Sequence, residues 1–139
     1  MTFVDTNILI DILQDDPDWG AWSAGRLQMA TEAGPVMIDA IIVAELSRNY
    51  PSLAALMAPI KALSLTIAPI EAETAYLAGR RFAAYRKQRP AGAPSRPLPD
   101  FFIGAHAVTQ GVPLLTRDTG IYRTYFPELT LITPEDDHD

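Results

Sequence analysis

The stretch FVDTNILID, from Phe3 to Asp11, decides the fold class of this 139-residue chain. Residues 2–5 form a short apolar run that predicts a β-strand, and the apolar residues after it recur at helical spacing: Ile8, Leu9, Ile12 and Leu13. Asp5 therefore stands where a strand ends and a helix begins. A carboxylate in that place is either a helix cap or part of a polar site beyond the end of a strand.

Length and composition are those of one globular domain. A chain of 139 residues can bury a substantial core, and we expect a single domain over residues 1–133 followed by a disordered acidic tail over residues 134–139. No apolar run approaches the roughly 18 residues that a membrane span needs, so we expect no membrane association. The chain has no cysteine, which excludes disulfides and thiolate zinc sites and fits a reducing cytoplasm.

Short apolar runs alternate with segments of helical periodicity along the chain. After the first strand, strands are predicted at residues 35–39, 65–70, 112–116 and 129–133. Helices are predicted at residues 16–33, 40–50, 52–63, 71–88 and 100–110, with a short irregular helix at 117–126 and a proline-rich loop at 89–99. This alternation implies crossover connections, so we predict an α/β fold with a mostly parallel central sheet flanked by helices on both faces.

Four carboxylates are placed to converge at one edge of this sheet. Asp5 ends the first predicted strand, and Asp118 follows the strand at 112–116. Asp100 lies at the start of the helix that leads into that strand, and Glu45 lies one turn into a helix that is otherwise apolar around it. Ligands of parallel α/β sheets bind beyond the carboxyl ends of the strands. These acids would repel one another there unless a cation neutralised them.

A hard divalent cation suits such a site. Mg²⁺ or Mn²⁺ prefers oxygen ligands, keeps several waters, and is typically held by one or two carboxylates together with phosphate oxygens of a substrate. The ion lowers the pKa of a bound water and stabilises the attacking and leaving oxygens. The acidic residues therefore point to phosphodiester cleavage.

Basic residues are distributed unevenly along the chain. The net charge of −6 argues against a protein that coats nucleic acid. Between Thr74 and Pro99, however, there is no acid and there are six basic residues: Arg80, Arg81, Arg86, Lys87, Arg89 and Arg96. This segment is either a solvated helix face or a surface that contacts a polyanion or a partner protein.

Four blocks in order, FVDTNILID, VAEL, PLPDFFIGAHA and PLLTRD, resemble the motif blocks of PIN-domain ribonucleases. The size and the LLTRDTGIYRTYFPELTLI ending are most similar to the VapC-like toxins of bacterial toxin–antitoxin pairs. The resemblance implies a PIN-like three-layer fold and a metal-dependent endoribonuclease that cuts single-stranded or structured RNA, such as tRNA, and leaves a 5′-phosphate. It implies Mg²⁺ or Mn²⁺ as the cofactor, a cognate antitoxin as the partner, and a homodimer.

The same resemblance assigns roles to individual residues. Asp5, Glu45, Asp100 and Asp118 would be the catalytic, metal-binding acids, and Asn7 and Thr116 would support them. Candidate contacts to RNA or antitoxin are Arg80, Arg81, Arg86 and Arg117. Some relatives carry a further acid after the TRD block, where this chain has Thr119, Gly120 and Ile121. A permanently bound second metal is therefore not implied.

Several residues also have purely structural interpretations. Asp5 and Asp100 could be helix caps, Asp118 could be a turn residue, and Asp39 is expected to cap the helix at 40–50. His106 is expected to be a packed or interface histidine rather than a general base. The two tryptophans are assigned to the core or a subunit interface, with a groove for a partner peptide as the alternative: Trp19 and Trp22.

Three other functions can be weighed against this pattern. A phosphorelay receiver domain does not fit, because it needs two adjacent acids after the first strand and a late lysine, whereas the lysines here are Lys61 and Lys87. A PIN-fold module that binds RNA or protein without catalysis would be expected to have lost one of the four acids, and none is lost. The sequence does not distinguish a DNA-directed nuclease of the same fold from a ribonuclease, and only substrate tests separate the two.

Overall fold

The computed structural model describes residues 1–93 and 97–137. In this part of the chain five strands form one parallel sheet in the order β3-β2-β1-β4-β5. The strands are β1 (Thr2–Val4), β2 (Val36–Ile38), β3 (Leu65–Ile67), β4 (Leu114–Leu115) and β5 (Leu131–Ile132). Phe3 of β1 pairs with Met37 on one side and Leu114 on the other. The strand order reverses at β1, so a crevice opens beyond the carboxyl ends of β1 and β4.

Helices connect and cover these strands. They are α1 (Thr6–Leu13), α2 (Gly20–Ala33), α3 (Ala40–Leu46), α4 (Leu53–Ala62), α5 (Ala72–Gln88), α6 (Leu98–Gln110) and α7 (Gly120–Tyr125). α1 packs on α2, α5 packs extensively on α6, and α3 contacts both α1 and α6. The chain passes from β1 to β2 through α1 and α2, and from β3 to β4 in the opposite direction along the sheet through α5 and α6. Right-handed crossovers in opposite directions place their helices on opposite faces, so these two helix pairs cover opposite faces of the sheet. The predicted α/β fold with a parallel central sheet is confirmed.

The boundaries differ from the predicted ones where side chains bond to nearby backbone. The predicted start of the second helix at Asp16 is wrong, because the Asp16 carboxylate accepts hydrogen bonds from the backbone N–H of Asp18 and Trp19 and holds a turn there. The helix after β2 ends at Leu46 and gives way to a 3-10 turn, Ser47–Asn49. Asp5 and Asp39 lie just beyond β1 and β2 and cap the helices that follow.

The last described segment of the chain is Pro134–Asp137, which forms a short 3-10 helix. Its Glu135 carboxylate forms an ion pair with Arg123 at 2.8 Å, which attaches this segment to α7. Residues 138–139, and residues 94–96 of the proline-rich loop, lie outside the described residues. No helix in the described part of the chain is both long and apolar enough to cross a membrane.

One buried polar pair lies inside the apolar core. His106 of α6 and Asp39 are both fully buried, with His106 Nδ1 2.8 Å from Asp39 Oδ2. The other carboxylate oxygen of Asp39 accepts the N–H groups of Ile41 and Ile42. Within the described residues His106 Nε2 has no hydrogen-bond partner. The predictions that His106 is packed and that Asp39 caps α3 are confirmed.

Aromatic rings join α5, α6 and α7. The Phe101 ring lies 5.3 Å from Phe82, 5.4 Å from Tyr85 and 5.9 Å from Phe126. Phe126 packs against Gly104 of α6, where an added Cβ would lie 2.7 Å from the Phe126 ring. Only a residue without a side chain allows this approach.

We expect Gly104→Ala to destabilise the protein by about 1–3 kcal/mol, because the buried Phe126 ring is hemmed in by its neighbours and cannot move aside freely. The matched control is Gly79→Ala on the exposed face of α5, where a Cβ meets no atom within 4 Å. This control should stabilise by about 0.5–1 kcal/mol. Urea denaturation of the three proteins measures both effects, and equal stabilities for the two variants would contradict this packing.

Candidate active site

Asp5 occupies the crevice where the strand order reverses. Its side chain is 5% exposed. One carboxylate oxygen accepts the backbone N–H of Thr6 at 2.8 Å, which caps α1. The other accepts three hydrogen bonds, from the hydroxyl of Thr116 (2.8 Å), the hydroxyl of Tyr122 (3.0 Å) and the side-chain amide of Asn7 (3.2 Å). Both oxygens are therefore held in fixed positions.

The surroundings of Asp5 oppose its ionisation. The pKa of Asp5 is raised from 3.8 to about 6. Burial is the main cause and the negative charge of Asp100 adds to it, while hydrogen bonds from Thr116, Tyr122 and Thr6 act in the opposite direction. The donors that Asp5 does have are all neutral groups. A positive charge at this point would therefore be favourable.

One other buried aspartate shows the contrast. Asp11, 2% exposed, forms a two-pronged ion pair with Arg117 at 2.6 and 2.8 Å. Asp5 is buried to nearly the same degree, but its hydrogen bonds come from hydroxyl and amide groups. Its environment is that of a ligand position more than that of a structural ion pair.

Thr116 connects Asp5 to Asp118. Its hydroxyl donates to Asp5 and accepts the backbone N–H of Asp118 at 3.0 Å and the Asn7 amide at 3.3 Å. Asn7 in turn accepts the backbone N–H of Arg117 at 3.2 Å through its side-chain oxygen. The loop after β4 is thus attached to the start of α1, with half-buried Asp118 at its exit.

Asp100 and Glu45 approach the same region from other elements. Asp100 lies in the first turn of α6, half-buried, and its charge acts on both Asp5 and Tyr122. Glu45 of α3 accepts the Thr6 hydroxyl at 2.7 Å. It lines a cavity of about 300 Å³ together with Thr6, Ile10, Ala44 and Arg48. Thr6 thus links the two acids, since its hydroxyl donates to Glu45 and its backbone N–H donates to Asp5.

Tyr122 is a member of this site that sequence reasoning missed. Its side chain is 1% exposed. Burial raises the pKa of its phenol well above 10, and the charges of Asp5, Asp100 and Asp118 raise it further. Tyr122 therefore stays protonated and donates its hydrogen bond to Asp5. The only sequence signal for Tyr122 is its position in the predicted irregular helix after the TRD block. The sequence around it does not distinguish it from an ordinary core tyrosine.

The four predicted acids form a looser group than the sequence suggests. Among residues 1–93 and 97–137, no three His, Cys, Asp or Glu side chains are close enough together to enclose a metal ion by themselves. Mg²⁺ needs only one or two carboxylates, with waters and substrate phosphates as its other ligands. All the donors here are oxygens, and Asp5 and Asp100 are electrostatically coupled. The residues present therefore fit a hard divalent ion that is completed by water and substrate.

Two of the four candidate RNA or antitoxin contacts form ion pairs with other residues of the protein. Arg117 is bound to Asp11, which also accepts the Ser23 hydroxyl at 2.7 Å. The Arg117 guanidinium lies 5.1 Å from the Trp19 ring centroid. Arg81 is similarly held, by both carboxylate oxygens of Glu128 and by the Tyr125 carbonyl. These pairs span more than 40 residues of sequence, so no local pattern predicts them.

The remaining two candidates are on the surface of α5. Arg80 and Arg86 are exposed, and the Arg86 guanidinium lies 5.9 Å from the Phe82 ring centroid. Trp19 is 37% exposed and meets Trp22 edge to face at 6.2 Å. Trp19 therefore covers the Arg117 pair from outside and is not part of the deep core.

Comparison with known proteins agrees with this geometry. The family model of the PIN domain matches residues 2–127. The VapBC2 complex of Rickettsia felis bound to a promoter DNA fragment has a TM-score of 0.71 and 18% identity, covering 95% of this chain and 97% of that one. A toxin–antitoxin complex from Klebsiella pneumoniae has a TM-score of 0.66 and 25% identity, covering 96% and 98%.

A third similar structure is Mycobacterium tuberculosis VapC20, described as a toxin that cleaves the sarcin–ricin loop. It has a TM-score of 0.61 and 17% identity and covers 89% of this chain and 95% of that one. A search of curated proteins returned no match. The family model extends over nearly the whole chain, from β1 to the end of α7. This chain therefore belongs to the PIN domain family.

Proposed function

We propose that this protein is a metal-dependent endoribonuclease and the toxin of a toxin–antitoxin pair, hydrolysing RNA phosphodiester bonds. The observation that carries the proposal is the buried Asp5 carboxylate, which lies at the reversal of strand order beside Asp100, receives only neutral hydrogen-bond donors, and is joined to the Asp118 loop through Thr116. Such a carboxylate is poorly accommodated without a cation.

Asp5 and Asp100 would hold Mg²⁺ or Mn²⁺, with Asp118 and Glu45 acting directly or through water. When bound, the ion would supply an activated water and stabilise charge on the phosphate oxygens. The protein's own contribution is orientation. Thr116, Asn7 and Tyr122 fix one oxygen of Asp5, and Thr6 fixes the other and also holds Glu45. Rigid placement of this kind is what a catalytic site requires of its supporting groups.

Substrate and partners are inferred from the relatives. One similar structure is of a toxin described as cleaving an RNA loop, and several others are toxin–antitoxin complexes. By that likeness the substrate is RNA and the partner is a cognate antitoxin. The four sequence blocks add the proposal that the RNA is structured, such as a tRNA. We further propose that the protein acts in the cytoplasm as a homodimer.

We expect the purified protein to cut a total-RNA pool in Mg²⁺ or Mn²⁺, to be inactive in chelator, and to leave a matched DNA intact. Asp5→Asn and Asp100→Asn should each lower the cleavage rate by about a hundredfold or more, because each removes a charge that acts on the reacting groups. Gel analysis of the products measures this. The matched control, Asp18→Asn, changes an exposed acid of the α1–α2 turn and should cleave like the wild type.

Two outcomes of this experiment would overturn the proposal. Absence of RNA cleavage in any metal, by folded protein free of antitoxin, would favour a PIN-fold module that binds without catalysis. Preferential cleavage of DNA would make the protein a DNA-directed nuclease of the same fold.

We expect ion-free protein to gain stability as the pH falls through 6. The folded pKa of Asp5, about 6, lies above its ordinary value of 3.8, so ionised Asp5 opposes folding at higher pH. The difference corresponds to about 3 kcal/mol, which is recovered as the pH falls from about 6 to about 4. Urea denaturation in chelator at several pH values measures it.

Asp5→Asn is the control for this pH dependence, because it removes the titrating group and leaves the other acids in place. The stability of the wild type relative to the variant should rise as the pH falls, and Mg²⁺ should stabilise the wild type more at about pH 8 than at about pH 5. A difference that is constant over this range would show that Asp5 has an ordinary pKa.

Arg117 should act by positioning the Asp118 loop and not by binding RNA. Arg117→Ala and Asp11→Asn break the same ion pair, so each should lower cleavage, and the double variant should be no worse than the more impaired single variant. RNA affinity in chelator, measured by fluorescence anisotropy, should stay unchanged in all three. If Arg117→Ala weakened RNA binding and Asp11→Asn did not, Arg117 would be a phosphate contact instead.

A further inference from the structure

The exposed face of α5 combines an aromatic ring with two cations. Tyr76, Arg80 and Lys87 are spaced four and seven residues apart, which places them within about 40° of one another around the helix. All three are exposed, and Tyr76 is the most exposed large hydrophobic side chain in the described part of the chain, at 72%. We call these three residues the α5 strip. Glu73, one turn earlier on the same face, marks its acidic end.

The α5 strip runs along the helix pair toward the end that carries Asp100. The Thr74 hydroxyl at the start of α5 lies 2.6 Å from the Thr109 hydroxyl at the end of α6, and Phe82 contacts Phe101 at the start of α6. The two helices are therefore antiparallel. The Lys87 end of the strip lies at the end of the helix pair that carries Asp100, and Tyr76 lies about 16 Å farther along the surface.

Other cations near the strip already have partners within the protein. Arg81 is bound to Glu128 and the Tyr125 carbonyl, Arg86 lies over the Phe82 ring, and Arg89 donates to the Ala93 carbonyl at 2.6 Å. Arg117 is bound to Asp11. Arg80 and Lys87 instead extend from an exposed face with charges that suit a polyanion. The sequence predicts RNA or antitoxin contacts at Arg80, Arg81 and Arg86, and the structure favours Arg80 among them.

We propose that the α5 strip binds single-stranded RNA, with Arg80 and Lys87 on backbone phosphates and Tyr76 stacked on an unpaired base. This inference rests on the proposed ribonuclease function, because it names the path by which substrate reaches the carboxylate site. An acidic protein with a cluster of carboxylates at its site repels a polyanion, so local cations are needed to hold the strand. A ring stacks readily only on bases that are not already paired in a duplex, which is why a single strand is the fitting ligand.

The test measures binding of a fluorescein-labelled single-stranded RNA by fluorescence anisotropy in chelator, where cleavage is suppressed. Arg80→Ala/Lys87→Ala should weaken binding and reduce the slope of log K against log salt by about 1.4, the value for two lost phosphate contacts to a single strand. The charge-matched control is Arg26→Ala/Lys61→Ala on α2 and α4, outside the α5–α6 pair. It should leave the slope near that of the wild type.

The role of Tyr76 is tested separately. Tyr76→Ala should weaken binding roughly five- to one-hundredfold, and Tyr76→Phe, which keeps the ring, should bind like the wild type. Both changes lie on an exposed helix face, so circular dichroism should show unchanged folding. A duplex RNA of the same length should lose less affinity on Tyr76→Ala than the single strand does.

Three results would overturn the inference: an unchanged salt slope in Arg80→Ala/Lys87→Ala, equal affinity of Tyr76→Ala and wild type, or equal losses in the strip and control double variants. If light scattering showed instead that the strip variants change only the oligomeric state, the strip would be a contact between protein chains. Because binding is measured without metal, a protein that binds through the strip but never cleaves RNA would refute the proposed activity and leave this inference standing.

Discussion

The structure depends on one buried carboxylate at the point where its sheet reverses direction. Asp5 receives hydrogen bonds from the start of α1, the end of β4 and α7, so the central strand, its neighbour and two helices meet at one side chain. Each of those donors is neutral, and burial together with the Asp100 charge raises the pKa of the group. The fold therefore concentrates an unfavourable negative charge where a parallel α/β sheet offers its ligand crevice.

Asp11 shows that the fold can neutralise a buried carboxylate when the role is structural, because Arg117 is bound to it. Asp39 is bound by His106 and by the N-terminal amides of α3. These pairs fasten α1 to the Asp118 loop and α3 to α6. They hold three of the elements that deliver acids to the site, so the structural pairs and the proposed catalytic acids are parts of one arrangement. A metal ion would complete at Asp5 what arginine does at Asp11.

Much of the fold and part of the site could be predicted because the information is local. Strand and helix periodicity predicts the parallel sheet, and an acid directly after a strand identifies Asp5 and the Asp39 cap. The roles of Arg117, Arg81 and Tyr122 could not be predicted, since each depends on a partner distant in sequence: Asp11, Glu128 and Asp5. Basic residues in one acid-free segment look alike in sequence, and only the packed structure separates Arg81, which is paired with Glu128, from Arg80 on the exposed face.

The most direct test of the central claim is to titrate Mn²⁺ into the metal-free protein and follow the free ion by electron paramagnetic resonance. Wild type and Asp18→Asn should bind Mn²⁺ alike, and binding should strengthen as the pH rises through about 6, because protons and the cation compete for Asp5. Asp5→Asn and Asp100→Asn should abolish or greatly weaken it. Equal Mn²⁺ binding by all four proteins would show that the buried Asp5 carboxylate does not hold the ion and would contradict the account.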